Sequence, residues 1–134
     1  MAMDIYKGWP FDGAINDNAP PKSGEGIVAG MAVKKDSNGE LVKANGAVGE
    51  KAFFAMNDQA SLDVVHSKSL PYIVSNAIVL TDQYIAASYT TGQGLEVSSA
   101  SPGSLKALGT APLFGYFDGF VTRDGIDFMK VIIP

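Results

Sequence analysis

The first 26 residues combine large apolar side chains with a backbone that cannot form one continuous regular element. The side chains that should seek burial are Ile5, Tyr6, Trp9 and Phe11. The residues that exclude a continuous helix and disfavour a long paired strand are Gly8, Pro10, Gly13, Pro20, Pro21, Gly24 and Gly26. Disordered tails are usually poor in aromatic residues. We therefore predict an extended arm that packs either on its own domain or on another subunit.

Length and composition restrict the rest of the chain. A chain of 134 residues can bury a sizeable core as one domain, so we predict an arm over residues 1–26 and a β domain over residues 27–134. The sequence has no cysteine, which excludes disulfides and thiolate metal sites. Its formal charge of −4 argues against a nucleic-acid partner. Its apolar runs are too short to cross a membrane.

Short apolar runs separated by turn residues indicate a mainly β domain. Residues 27–35 alternate in hydrophobicity and are predicted to form a strand with Ile27, Ala29, Met31 and Val33 on one face. Further strands are predicted over residues 40–44, 52–56, 71–80, 84–89, 95–98, 113–122 and 126–133. Residues 103–108 could form one helical turn, and residues 58–67 are ambiguous. The prediction is a single-domain antiparallel β barrel or sandwich.

Turn residues place two hairpins within this pattern. Asp124-Gly125 is the clearest two-residue hairpin signal, and Asn38-Gly39 ends a second hairpin loop. Gly115 and Gly119 fall within one predicted strand, where they indicate a bulge or a sharp bend.

Residues able to carry out chemistry are few. A catalytic triad would have to use His66, the only histidine, with Asp58 or Asp63 beside it. Neither a nucleophile elbow nor a phosphate-binding glycine loop is present. A pair of carboxylates for glycoside chemistry would have to come from acids such as Asp58, Asp82, Glu96 and Asp118. We expect a protein that is not an enzyme, with no cofactor and no metal.

Several segments of the β domain resemble one protein family. They are Gly26-Ile27-Val28-Ala29-Gly30-Met31-Ala32-Val33, Ala52-Phe53-Phe54-Ala55-Met56-Asn57-Asp58, Ser69-Leu70-Pro71, Thr91-Gly92 and Ala111-Pro112-Leu113-Phe114-Gly115-Tyr116-Phe117. In layout, residues 26–133 resemble the small capsid decoration (cement) proteins of tailed bacteriophages. The resemblance implies a structural virion protein, made in the host cytoplasm, that binds the outer surface of an icosahedral head. Its partners would be the major capsid protein and other copies of itself, most often in a homotrimer.

The arm has a specific role in this interpretation. Its backbone would lie along an edge strand of a capsid subunit, and Ile5, Tyr6, Trp9 and Phe11 would contact the capsid. Two other interpretations remain open. One is a receptor-binding or fibre-associated virion module, and the other is a small β-barrel hydrolase centred on His66.

Overall fold

The computed structural model describes residues 3–7, 15–62 and 69–134. These residues form eleven strands and one turn of 3₁₀ helix at Gln59–Ser61. The strands are β1 (Met3–Lys7), β2 (Ile15–Ala19), β3 (Ala32–Lys35), β4 (Leu41–Lys43), β5 (Phe53–Ala55), β6 (Leu70–Ser75), β7 (Ala77–Thr81), β8 (Gly94–Val97), β9 (Leu105–Ala107), β10 (Gly115–Arg123) and β11 (Ile126–Ile133). The prediction of a mainly β fold is confirmed.

The strands form two antiparallel sheets. The first has the order β1-β7-β11-β10-β8-β9, and the second has the order β2-β6-β5-β3-β4. The sequence left a barrel and a sandwich open. Two separate sheets with an apolar core between them make the fold a β sandwich.

The main core lies between the two sheets. Phe54 and Ile73 reach it from the second sheet, and Val79, Leu95 and Val131 reach it from the first. All five are fully or almost fully buried. Burying a side chain of this size stabilises the fold by about 1.5–3 kcal/mol relative to leaving it in water. This core holds the two sheets together.

A second, smaller cluster covers the other face of the second sheet. Neighbouring residues of a strand point to opposite faces, so Val33 and Tyr72 lie in this cluster while Ile73 lies in the main core. Leu41 and Leu70 are also members, and both are completely buried. The second sheet is therefore packed on both faces.

Both predicted hairpins are confirmed. Asp124 and Gly125 have φ angles of 53° and 77° and connect β10 to β11. Two positive φ angles in succession are typical of the type I′ turn, which matches the twist of the flanking strands. Between β3 and β4, the carboxylate of Asp36 accepts the N–H groups of Asn38 and Glu40 at 2.9 and 3.0 Å.

The two glycines of β10 have different roles. Gly119 has a φ of 99° and lies where the pairing register shifts between Phe117 and Phe120, which confirms the predicted bulge. Gly115 permits a close backbone approach, since a Cβ there would lie 2.6 Å from the carbonyl oxygen of Ile132.

The prediction of one strand over residues 27–35 is wrong in its first half, because the strand begins only at β3. Gly30 has a φ of 91°, which breaks the extended backbone. Ala29 then enters the main core, whereas Ile27 and Val33 enter the second cluster. The predicted single apolar face therefore does not exist.

Residues 71–80 belong to two strands instead of one. The chain leaves the second sheet after β6 and enters the first sheet at β7. Between them, Asn76 has a φ of 63°, a conformation that asparagine adopts more readily than most residues. This residue lets the chain change sheets without a long loop.

Two further segments also differ from their predictions. Residues 84–89 are not a strand; Tyr84 forms only an isolated bridge to Leu105, at the free edge of β9. Residues 103–108 are not helical, because Leu105–Ala107 pairs with β8 as β9. In the first case the local β preference has no ladder of pairs to join, and in the second case pairing with β8 overrides the local preference.

The arm contributes one strand to each sheet. β1 pairs with β7, with Ile5 opposite Val79, and β2 pairs with β6. Of the two alternatives left open by the sequence, β1 and β2 show pairing of this segment with its own domain. Each of these strands is only five residues long, which explains how it forms among so many glycines and prolines. The domain boundary at residue 26 stays a prediction.

Candidate docking surface

Four exposed apolar side chains lie on two adjoining loops and on β10. They are Val48, Leu108, Leu113 and Tyr116, and we call them the apolar rim. Val48 is 95% exposed, and the other three are between 37% and 45% exposed. Grouped apolar side chains on a surface are typical of interaction sites.

The two loops of the rim touch each other. Gly46 lies in the loop that carries Val48, and Ala111 lies in the loop that carries Leu113. The two loops are so close that a Cβ at Gly46 would lie 3.3 Å from the Cβ of Ala111. Both loops also line one cavity of about 40 Å³, with Glu50 on one side and Leu113 on the other. The two loops therefore form one continuous surface.

Gly94 makes room for the leucines of the rim. A Cβ at Gly94 would lie 2.9 Å from Leu108 Cδ2 and 3.0 Å from Leu113 Cδ1, so both leucines lie over the bare backbone of β8. The N–H of Leu108 donates to the carbonyl of Gly94 at 3.0 Å. Tyr116 lies opposite Gly94 on the neighbouring strand. The three side chains thus surround a single glycine.

A buried glutamate holds the loop that carries Val48. The side chain of Glu50 is only 5% exposed, and its Oε1 accepts the N–H groups of Asn45 and Gly46, each at 3.1 Å. Its Oε2 lies 2.9 Å from the ammonium of Lys34 on β3. Hydrogen bonds to an ionised group are stronger than neutral ones, so this loop is fixed to the sheet.

A second buried glutamate holds the loop that carries Leu108. The side chain of Glu96, on β8, is 6% exposed and accepts the N–H of Gly109. Its other oxygen lies 3.8 Å from the ammonium of Lys106 on β9. The rim is therefore displayed by two loops that are each held by a buried carboxylate.

A group of aromatic rings lies beside the β10 bulge. Tyr84, Tyr89, Phe117 and Phe120 contact one another, with ring centroids 5.1 to 6.5 Å apart. Phe117 is buried, whereas Phe120 is 46% exposed. Such ring pairs add about 0.5–1.5 kcal/mol beyond the burial of their area.

The two tyrosines of this group have raised pKa values. Burial is the main cause for both; the charges of Asp127 and Asp82 also raise the pKa of Tyr84. The hydroxyl of Tyr84 donates to the carbonyl of Asp127 at 2.9 Å, and that of Tyr89 donates to the carbonyl of Ile85. The neutral hydroxyls thus tie residues 84–89 in place.

The residues considered for catalysis are only partly described. Asp63 and His66 lie outside the described residues. Asp58 accepts the N–H of Ala29 at 2.7 Å, and so helps to hold the loop before β3. The hydrolase interpretation therefore has one described member, and that member supports the backbone.

The four acids considered as paired carboxylates have different partners. Asp58 binds a backbone N–H, Asp82 accepts a hydrogen bond from Gln83, and Asp118 lies 3.5 Å from Lys130. The fourth, Glu96, is the carboxylate that binds Gly109. Within residues 3–7, 15–62 and 69–134, no group of three or more His, Asp or Glu residues could hold a metal ion. Nor do these residues include a helix long and apolar enough to span a bilayer.

The structure describes the backbone of two of the four predicted capsid-contact residues. Ile5 and Tyr6 lie in β1, and Trp9 and Phe11 lie outside the described residues. Their contact with a capsid stays a prediction. Sequence reasoning missed the rim because it treated the segment around Val48 only as a turn. The available signal was a β-branched apolar residue between Gly46 and Gly49, where nothing in a turn requires one.

The sequence matches no protein-family model and no curated protein.

Proposed function

We propose that this protein is a structural component of a tailed-bacteriophage virion. It binds the outer surface of the icosahedral head and connects neighbouring major capsid subunits. The copies associate with one another, in a homotrimer on the pattern of the decoration proteins that the sequence resembles. The protein has no catalytic activity in this proposal.

The observation that carries the proposal is the way in which the apolar rim is held. Two buried glutamates fix the loops that expose Val48 and Leu108, so these side chains are in position before a partner arrives. A surface ordered in advance loses less conformational entropy on binding, and more of its contact energy appears as affinity. Docking onto a large, rigid shell is the kind of function that such a surface suits.

Two general features fit the same function. Several contacts made at once to a repeating shell give an avidity that no single contact supplies. The net charge of −4 gives the protein no attraction to the packaged DNA and suits an outer surface.

The test is co-sedimentation with phage heads. Expanded, DNA-free heads are prepared from the phage whose genome encodes this chain, in a strain that lacks the protein. Purified protein is added over a range of concentrations, and the copies bound per sedimented head are counted. We expect saturation at a fixed number of copies per capsomer. Unexpanded heads serve as the comparison surface.

Other results would contradict the proposal. Absence of saturable binding to heads, together with binding to host cells or their glycans, would indicate a receptor-binding or fibre-associated module. A hydrolytic activity that is lost in His66→Ala while the fold is retained would indicate an enzyme.

A further inference from the structure

A groove next to the apolar rim combines cationic and apolar side chains. It has a volume of about 540 Å³ and lies between the end of β3 and the loop that carries Val48. Lys35 and Lys51 provide positive charge, and Val48 and Phe53 provide apolar surface. A groove of this volume accommodates a ligand of several residues or of drug size.

The acidic residues of the groove are already bound within the protein. The carboxylate of Asp36 accepts two backbone N–H groups of its hairpin. Glu50 accepts two N–H groups of its loop and pairs with Lys34. The charges of Glu50 and Lys34 therefore cancel, whereas Asp36 keeps its negative charge but has its hydrogen-bonding capacity directed at its own hairpin.

The other two lysines keep donors for a ligand. Lys51 is exposed and makes no ion pair with any residue in the described part of the chain. The ammonium of Lys35 lies 5.6 Å from the centre of the Tyr72 ring. The neighbouring Tyr72 side chain raises the pKa of Lys35, and the charge of Asp17 adds a smaller effect. Since an ammonium has three donors, Lys35 can still bind a carboxylate.

We propose that this groove binds an acidic segment of a partner protein. Carboxylates of the segment pair with Lys35 and Lys51, and an apolar side chain lies between Val48 and Phe53. The argument is charge complementarity: in a chain with a net charge of −4, this groove is lined by three lysines and two carboxylates and so has an excess of positive charge. The inference rests on the proposed function only for the identity of the partner, which would be a capsid subunit. Val48 belongs to both the groove and the rim.

The test uses a peptide, so it does not depend on capsids. An acetylated hexapeptide of alternating glutamate and leucine is titrated into the ¹⁵N-labelled full-length protein and followed by amide chemical shifts. The matched peptide carries glutamine in place of glutamate. We expect saturable shifts confined to residues 34–36 and 47–53 with the acidic peptide, which weaken as salt is added. The glutamine peptide should bind at least about tenfold more weakly.

Two charge reversals locate the site. Lys51→Glu should weaken binding of the acidic peptide by about tenfold or more, whereas Lys22→Glu, an exposed lysine outside the groove, should leave it unchanged. The amide spectrum of each variant shows whether it is folded, and the comparison of the two peptides needs no variant.

Three results would overturn the inference: no saturable shift up to about 10 mM peptide, equal binding of both peptides, or shifts centred elsewhere. Such a failure would leave head binding untouched. Conversely, failure of head binding with a positive peptide titration would overturn the proposed function alone.

Discussion

The carboxylate of Glu96 accepts the backbone N–H of Gly109, and this bond fixes the loop after β9 to the buried strand β8. Glu50 binds Gly46 in the same way on the adjoining loop. Both carboxylates are almost completely buried, so each bond is made where water competes little. The position of the apolar rim therefore depends on two residues that are themselves hidden from a partner.

Replacing Glu96 should loosen its loop and lower stability. In Glu96→Ala the N–H of Gly109 loses its partner and Lys106 loses its ion pair, so we expect the free energy of unfolding to fall by about 1–3 kcal/mol. Urea denaturation measures this change, and faster amide exchange at Leu108 and Gly109 would show that the loosening is local. Glu40→Ala is the control, because in the described chain the side chain of Glu40 makes no hydrogen bond or ion pair. An equal loss of stability in both variants would contradict the role of Glu96.

Alanine substitutions at two glycines of the Val48 loop distinguish the cost of backbone strain from the cost of close packing. Gly46 and Gly49 have φ angles of 74° and 76°, so alanine is strained at either position. A Cβ at Gly46 would also lie 2.5 Å from the carbonyl oxygen of Val97, whereas Gly49 has no atom within 4 Å. We expect Gly49→Ala to cost about 1 kcal/mol and Gly46→Ala clearly more, by thermal or urea denaturation. Equal costs would show that the loop moves away from β8 without penalty.

The fold could be predicted from the sequence where the local turn and strand signals agree with the strand pairing in the structure. Asp124-Gly125 determines its hairpin through two positive φ angles, so the sequence alone suffices there. Residues 71–80 were predicted as one strand because their composition is continuous. The change of sheet at Asn76 is decided by which strands lie beside β6 and β7, and this is not a local property.

The candidate site was harder to predict than the fold. The rim is built from residues far apart in sequence, and the fold brings its two loops together where Gly46 approaches Ala111. Glu50 and Glu96 look like ordinary surface acids in the sequence. Their role depends on burial and on the backbone groups that face them, which only the tertiary structure provides.

Charges placed on the rim should separate binding from folding. Val48 is almost fully exposed, so Val48→Asp should change the free energy of unfolding by no more than about 0.5 kcal/mol. Leu113 also covers Gly94, so Leu113→Asp should cost about 1 kcal/mol and leave the protein folded. In the proposed docking mode each should weaken binding to phage heads by about tenfold or more, since a carboxylate would be buried without a partner. Ile126→Asp is the matched control, because Ile126 is 43% exposed and lies beside the β10–β11 turn, outside the rim. Full head binding by both rim variants would remove the rim from the docking surface.

Alkaline pH should destabilise the fold through two tyrosines. The pKa values of Tyr84 and Tyr89 are raised above 10.0 in the folded protein. The unfolded chain therefore loses these protons first as the pH rises. Their contribution to stability is fully present below pH about 10 and is lost as the pH rises through the raised values.

Urea denaturation between pH about 8 and about 11 measures this loss. The double variant Tyr84→Phe, Tyr89→Phe cannot ionise at these positions, so its stability should fall less over the same range. At pH about 8, the difference in free energy of unfolding between the variant and the unchanged protein gives the cost of the missing hydrogen bonds. A pH dependence equal to that of the unchanged protein would assign the loss to other groups.

Stepwise removal of the arm should lower stability in two stages. Deleting residues 1–7 removes β1 and leaves the edge of β7 without its partner strand. Deleting residues 1–24 also removes β2, which pairs with β6, and Ala19, which is buried in the second cluster. Because each paired strand contributes several hydrogen bonds worth about 0.5–1.5 kcal/mol apiece, we expect the melting temperature to fall at the first deletion and further at the second. If the chain without residues 1–24 melted at the temperature of the full-length protein, the two strand pairs would contribute no stability. The arm would then be free to bind a neighbouring capsid subunit through Ile5, Tyr6, Trp9 and Phe11.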